Sequence, residues 1–502
     1  AMLFSIVFIL LSILSIYTTM SRLISNQMVQ ISTLKSLGFY DRQIYFHYGA
    51  YGFLVAIIGS LVGVIFGYTV VANLVMNIKK ATLTLPIWKK SFGIDSMILI
   101  VLIVTVCTLA AIITTRKVIK NNPSFTIKGM LDKKSSGPGI YKKSRLSYDW
   151  LWTLRSIRIH PVRTFMSITA IVGSIVLMVA GLGVWDSLYS SYQDVYNNEF
   201  CYKYIGQVYG ESYNNLSRKF NSFDVQFAQS ETADFSFHGI EKSGSLLVLD
   251  SGDKIRIFDA KSKKKIRIEK DEVAIASQLA EQLDVKVGDK IAYKTKSSLN
   301  EHRVTVTAIV DAKMPQGIFI YKDKVKNFEP NTIYIGDSEA YEQAKKEESI
   351  SNIISIKKQQ DNMKEMMDSV HSIMYILIVA AFVLSVVILY NLGILSYLER
   401  YREYATMKVI GFNHGEIMGM VFKESFLNLL IGFVIGIPLS RQFLKLYIRV
   451  VSMDSMEWTP IIAKDHFLIV IFCVIGFSVL VNLVVSMRIR KIDMVEALKS
   501  IE

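Results

Sequence analysis

Cysteine is scarce in this chain, and the signatures that would give it chemistry of its own are missing. The three cysteines, Cys107, Cys201 and Cys473, are scattered with no CxxC pair. That excludes a disulfide framework. No GxxxxGK[ST] occurs, so the chain carries no phosphate-cradling loop. The stretch Gly288 to Thr295 approaches that pattern but lacks its second glycine. There is no HExxH zinc helix and no GxSxG nucleophile turn. The seven histidines are dispersed, and His238, His302 and His371 stand far apart. No metal site, no bound cofactor and no catalytic residue is predicted.

What is abundant is apolar sequence. Of 502 residues, 51% are hydrophobic, and the mean hydropathy is +0.34. The apolar residues are bunched into seven runs, at about 2–17, 49–77, 95–115, 164–185, 373–397, 419–440 and 466–486. Runs of this length read as transmembrane helices, which satisfy their own backbone in lipid. Few ionisable residues interrupt them, so no ion or proton path is written there. The net charge is +14. Its basic residues flank the runs, which fits anionic lipid headgroups rather than nucleic acid.

The densest basic segment, Arg116 to Arg163, is predicted to be cytoplasmic by the positive-inside rule. Counting spans from it makes 18–48, 398–418 and 487–502 cytoplasmic. It makes 78–94, 186–372 and 441–465 external. Lys79, Lys80, Lys89, Lys90, Arg441, Lys445 and Arg449 weaken that contrast. The N-terminus comes out external. The first run opens without a basic n-region, so it does not read as a signal peptide. The chain is expected to be the remainder of a longer polypeptide whose first half has lost a leading helix and an external insert.

Residues 186–372 are soluble in character. Ser245 to Asp250 and Arg303 to Val310 read as strands. Ala274 to Leu283 has helical spacing. The charged return leg, about Ala340 to Ser372, is helix-prone and expected to run unbroken into the apolar run at 373–397. Residues 129–147 form a linker with the breaker cluster Gly137-Pro138-Gly139. Tyr148 to Arg158 places Trp150, Leu154 and Ile157 on one face, as in an interfacial amphipathic helix.

One pattern occurs twice. Ile31 to Phe39, continuing to Ile44, returns as Tyr404 to Phe412, continuing to Ile417, an offset of 373 residues that also carries Gly59 to Gly432 and Gly63 to Gly436. Gly38 and Gly411 supply helix stops, because glycine accepts the left-handed conformation. Asn413 with Glu416 makes a capping box for the next helix, and Asp41 is the expected cap in the first copy. Phe39 and Ile44, then Phe412 and Ile417, give each turn an aromatic and an aliphatic anchor. Gly59, Gly63 and Gly67, then Gly432 and Gly436, lie four apart, as in closely packed membrane helices. Glu399, Arg400, Arg402 and Glu403 are expected to pair along their helix.

Together these elements resemble the permease family of FtsX-like, MacB-type (type VII) ABC transporters. The segments closing each half, Arg116 to Phe125 and Arg490 to Lys499, match loosely the family's "DPxxAL" ending, although the first lacks the Ala-Leu pair. Glu272 to Ala276 through Val285 to Ile291 is similar to a stretch of MacB-like external domains. The resemblance implies a multi-pass α-helical membrane protein with two related helical halves and one α+β extracytoplasmic domain. The expected divisions are 1–128 (first half), 129–162 (linker and interfacial helix), 163–185 (first helix of the second half), 186–372 (external domain with stalk) and 373–502 (second half). It further implies that Gly38, Phe39, Asp41, Ile44, Gly411, Phe412, Asn413, Glu416 and Ile417 form coupling helices for a cytoplasmic ABC ATPase dimer, which would hold ATP and Mg. The chain would then sit in a bacterial cell membrane. It would couple ATP hydrolysis to external motion, exporting or extracting lipids, lipoproteins, peptides or hydrophobic toxins, in contact with membrane lipid and an extracytoplasmic protein or lipophilic substrate. The alternative is an ATPase-linked regulator or sensor acting on a cell-wall hydrolase or antimicrobial. A membrane-anchored enzyme or adhesion domain without an ATPase has no catalytic constellation to support it.

Overall fold

The structure, a computed structural model, describes residues 2–82, 93–119, 148–266, 268, 272–296, 301–325, 327–451 and 456–490. The linker at 129–147 and most of both closing segments, 120–125 and 491–499, lie outside the described residues. The chain divides into two compact units. The first comprises Ala1–Gly183, Ser372–Lys445 and Ile462–Glu502. The second comprises Val184–His371 and Leu446–Ile461.

The helical unit is built from α1 (Met2–Asn26), α2 (Met28–Ser36), α3 (Asp41–Phe66), α4 (Ile94–Ile119), α5 (Tyr148–Ile159), α6 (Pro161–Asp194), α7 (Ile356–Glu399), α8 (Tyr401–Val409), α9 (His414–Val451) and α10 (Lys464–Arg490). Of these, α6, α7 and α9 run on into the second unit's residues. Helix α3 continues through one π-helical stretch, Gly67–Val71, into Ala72–Thr82. Seven helices, α1, α3, α4, α6, α7, α9 and α10, are long and apolar enough to cross a membrane. Each contains one of the seven apolar runs. Leu54, Ile58, Leu61, Val62 and Ile65 of α3 are all more than half exposed. So much uncovered apolar surface on one helix calls for a lipid solvent, and the chain is a membrane protein.

Helix α6 is the axis of this unit. Pro161 opens it, at the first helical position, where a missing N–H costs nothing. The run Ile175 to Ala180 is buried on every side, as expected of a helix apolar all round. Small residues let the neighbours in. A β-carbon on Gly173 would meet Leu11 of α1, and one on Gly181 would meet Ile378 of α7. Ile171 and Ile175 of α6 in turn fill the surfaces of Gly432 and Gly436 on α9.

The second unit is an α+β domain around one mixed sheet. In chain order its strands are β1 (Tyr204–Val208), β2 (Val225–Phe237), β3 (Ile240–Leu249), β4 (Ile257–Phe258), β5 (Lys265–Ile266), β6 (Val273–Ala276), β7 (Lys290–Thr295), β8 (His302–Thr305), β9 (Ala308–Val310), β10 (Gly317–Tyr321), β11 (Thr332–Ile335) and β12 (Ile350–Ser355). The order is β12-β1-β11-β2-β3-β10-β6-β9, with β7 and β8 branching from β2 and with β4 and β5 forming a separate pair. Strands β2 and β3 pair antiparallel from Ala228↔Leu249 to Phe237↔Ile240. The two residues between them, His238 (φ 48°) and Gly239 (φ 84°), take the positive-φ geometry of a tight hairpin. Strand β10 runs parallel to β3, and β9 parallel to β6.

Three readings change at this level. The apolar run at Ala274 is not helical. Val273–Ala276 is a fully buried strand between β10 and β9, and the helix begins at Ser277. A short buried strand and a buried helix look alike in sequence. Arg303 to Val310 is two short strands rather than one. The return leg is helix Ser338–Lys346, then β12, and only from Ile356 does one 44-residue helix run on to Glu399.

Candidate functional site

The two copies of the repeated pattern fold alike, residue for residue at the offset of 373. In each, a long helix breaks, one short helix follows, and a turn leads into the next long helix. Helix α1 breaks at Gln27 (φ −104°, ψ 14°), and α7 breaks at Arg400 (φ −111°, ψ 9°). Past α2 and α8 come Gly38 (φ 92°) and Gly411 (φ 105°), both left-handed. The amides of Gly38 and Gly411 donate to Lys35 and Lys408 carbonyls at 3.0 and 3.1 Å. Those of Phe39 and Phe412 donate to Leu34 and Met407 carbonyls at 3.1 and 3.0 Å. These bonds satisfy carbonyls that the helix ends would otherwise leave bare.

The next helices are capped the same way. Tyr40 N–H donates to Gln43 Oε1 at 3.0 Å, and Asn413 N–H donates to Glu416 Oε2 at 2.8 Å. The cap in the first copy is therefore Tyr40 and not Asp41. Asp41 is already helical and pairs with Lys35 at 3.1 Å. Ile44 and Ile417, the aliphatic anchors, face inward. They are 4% and 0% exposed and hold each turn against its own unit. The most exposed aliphatic side chains of the two turns are Leu37 and Ile410, 72% and 71% exposed. They are equivalent at the same offset, and they sit one residue before each glycine. Phe39 is exposed beside Leu37, and Phe412 is half-buried beside Ile410. Sequence reasoning passed over Leu37 and Ile410. The signal available was a large aliphatic directly before a helix-stop glycine in both copies.

The breaks differ in chemistry. Tyr48 of α3 donates its hydroxyl to Gln27 Oε1 at 2.6 Å. At the second break Arg400 is buried, its side chain 1% exposed, and it reaches across to Glu424 of α9 at 2.7 Å. Arg163 of α6 shares that carboxylate at 2.8 Å and touches Glu399 at 3.2 Å. Ser156 of α5 donates to Glu424 Oε2 at 3.0 Å, and Trp152 of α5 lies 4.8 Å under the Arg400 guanidinium. Arg400 thus does not pair along its own helix, because the nearest countercharge is on a different one. Helix α5 likewise turns Thr153 and Ser156 inward, while Arg155 and Arg158 stay exposed and Trp150, Leu154 and Ile157 are half-buried.

A cavity of about 70 Å³ beside this cluster is lined by Ser167, Ser425, Asn428 and Asn482 among others. Where α1 meets α7, Asn391 donates to Thr19 Oγ1 at 2.9 Å. The two glycine stripes differ as well. Gly432 and Gly436 are filled by α6, whereas a β-carbon on Gly59, Gly63 or Gly67 would meet no described atom within 4 Å. The external stretch singled out in sequence becomes β6, the helix Ser277–Leu283 and the lead into β7. Among the described residues, no three His, Cys, Asp or Glu side chains gather as a metal site.

No curated protein matches the chain. The FtsX-like permease C-terminal family matches residues 2–123 and 375–494. The matched segments hold α1 to α4 on one side, and most of α7 through α10 on the other, so both break-and-turn units fall within them. Proteins of that family are membrane subunits of transporters and generally pair with ABC ATPases. The chain thus carries the FtsX-like permease C-terminal domain in two segments, as an FtsX-type permease does.

Proposed function

We propose that the two break-and-turn units are docking elements for two cytoplasmic ATP-binding-cassette ATPase subunits, which hold the ATP and Mg. One observation carries this reading. Two turns 373 residues apart share backbone angles, hydrogen bonds and caps, and in each the most exposed aliphatic side chain, Leu37 or Ile410, stands at the equivalent position. A membrane protein that builds the same exposed apolar knob twice has two equivalent sites to fill.

On this reading the two helical halves are related by duplication, the turns face the cytoplasm, and the sheet domain lies outside a bacterial cell membrane. The chain acts as a MacB-type permease subunit. ATPase closure moves the turns, and the 44-residue helix α7 carries motion from its break towards β12. The cargo class is lipophilic: lipids, lipoproteins, peptides or hydrophobic toxins.

The test is co-purification of the membrane-embedded chain with its ATPase, and ATPase stimulation, for Leu37→Asp, Ile410→Asp and the double variant. Each single change should weaken association, and the double should abolish it. Unchanged association and stimulation in the double variant would refute docking at these turns.

A further inference from the structure

The two turns match, but the breaks behind them do not, and this asymmetry has a consequence of its own. At the first break the bond between the break residue and the next long helix is, among the described residues, a neutral one, from Tyr48 to Gln27. At the second, Arg400 makes two contacts to Glu424, at 2.7 and 3.4 Å. It also stacks on Trp152. A paired guanidinium has a fixed fork of donors and loses little freedom on binding a carboxylate. It is also enclosed, so its pairing is not diluted by water. The bond from the Tyr404 amide to the Arg400 carbonyl, at 3.0 Å, is repeated by the Ile31 amide on the Gln27 carbonyl at 2.9 Å, so the two breaks differ in their side chains and not in their backbone.

We infer that Arg400 is the positioning residue of the second docking element. It fixes the angle between α7 and α8, so that the second turn is held stiffly while the first, on Gln27, is compliant. The two ATPase sites are then mechanically unequal. This rests on the docking reading for its function, although the stiffness itself does not depend on any partner.

Electrostatics supplies a control. Arg163 and Arg400 share one carboxylate, Glu424. Removing either guanidinium leaves Glu424 paired with the other, although Arg163→Gln also takes a partner from half-exposed Glu399. Arg400 is the break residue itself, whereas Arg163 reaches the break only through Glu399. Arg400→Gln also installs the residue that stands at the equivalent break, Gln27. A cluster serving only as general glue predicts the same effect from both variants.

The measurement is a pair of spin-label distance distributions in the full chain, in lipid nanodiscs without ATPase, with Cys107, Cys201 and Cys473 replaced by alanine. Labels at Val383 and Ile410 span the second break, and labels at Leu10 and Leu37 span the first. All four positions are exposed. In the parent, the second distribution should be clearly narrower than the first. Arg400→Gln should broaden it to about the width of the first, Arg163→Gln should leave it narrow, and neither should move the first. Equal widths in the parent, or equal broadening by both variants, would overturn the inference. If instead the distributions behave as stated and ATPase binding is indifferent to both turns, the docking reading fails and the positioning role stands.

Discussion

Gln27 and Arg400 end two long helices with nearly the same backbone angles, and each is bonded to the helix that follows its turn, Gln27 to Tyr48 and Arg400 to Glu424. The backbone is alike at the two breaks while the side-chain chemistry differs, a neutral hydrogen bond at one and a buried ion pair at the other. The energetics of the two breaks therefore differ, and so do the expected effects of mutation.

Among the described residues, Glu424 is the one carboxylate shared by Arg163 and Arg400. Glu424→Gln leaves two enclosed guanidinium groups facing a neutral amide, with only half-exposed Glu399 near Arg163. Breaking a buried pair in this way costs on the order of 3–5 kcal/mol. Thermal unfolding in detergent should show a large loss for Glu424→Gln and a smaller one for Arg163→Gln. Equal small losses would mean that the cluster is not tightly enclosed.

Gly38 and Gly411 have open space around them, so a methyl group there meets no clash. The cost of alanine is purely conformational, about 1–2 kcal/mol for a left-handed residue with a side chain. Gly38→Ala and Gly411→Ala should each lower stability by that amount, and asparagine should be milder at both. No loss at either position would mean that the turn can re-form with negative φ.

The glycine stripes should respond in opposite directions. A β-carbon on Gly432 would come within 2.5 Å of Ile171, and one on Gly436 within 2.9 Å of Ile175. Gly432→Ala should cost about 1–3 kcal/mol through overpacking. At Gly59 nothing intervenes, so Gly59→Ala should gain about 0.5–1 kcal/mol from helix propensity. Similar losses at both would indicate that the α3 stripe is covered in the membrane.

Asp250 in the sheet domain gives a pH dependence. Burial pushes its carboxyl up to about 6, against the opposing pull of the Phe227 amide, the Lys322 ammonium and the Tyr213 hydroxyl. Because the folded value is raised, the stability tied to its protonated form is full below the unfolded value near 4. It is lost as pH rises through about 6. Asp250→Asn copies the protonated form. The variant should therefore gain on the parent as pH rises from 4 to 7, by up to about 2–3 kcal/mol. A difference that is flat with pH would show that Asp250 titrates normally.

The seven spans and the paired turns were legible because their signals are local. An apolar run declares its own length, and a glycine after a helix declares a left-handed residue. The charge cluster was not legible. Arg163 and Glu424 stand 261 residues apart, and nothing next to Arg400 in sequence says that its partner lies on another helix. Which way Ile44 and Ile417 face was not legible either, because their helical phase relative to the core depends on packing. The run at Ala274 failed for the same reason: four buried residues in a row carry no period of their own.

The most direct test of docking is site-specific photocrosslinking in membranes, with the crosslinker placed at Leu37, at Ile410 and, as a control, at Leu10, which is also exposed. Docking at both turns predicts ATPase adducts from positions 37 and 410 and none from 10. Adducts from neither turn, or turns reached only by reagents added outside the cell, would contradict it.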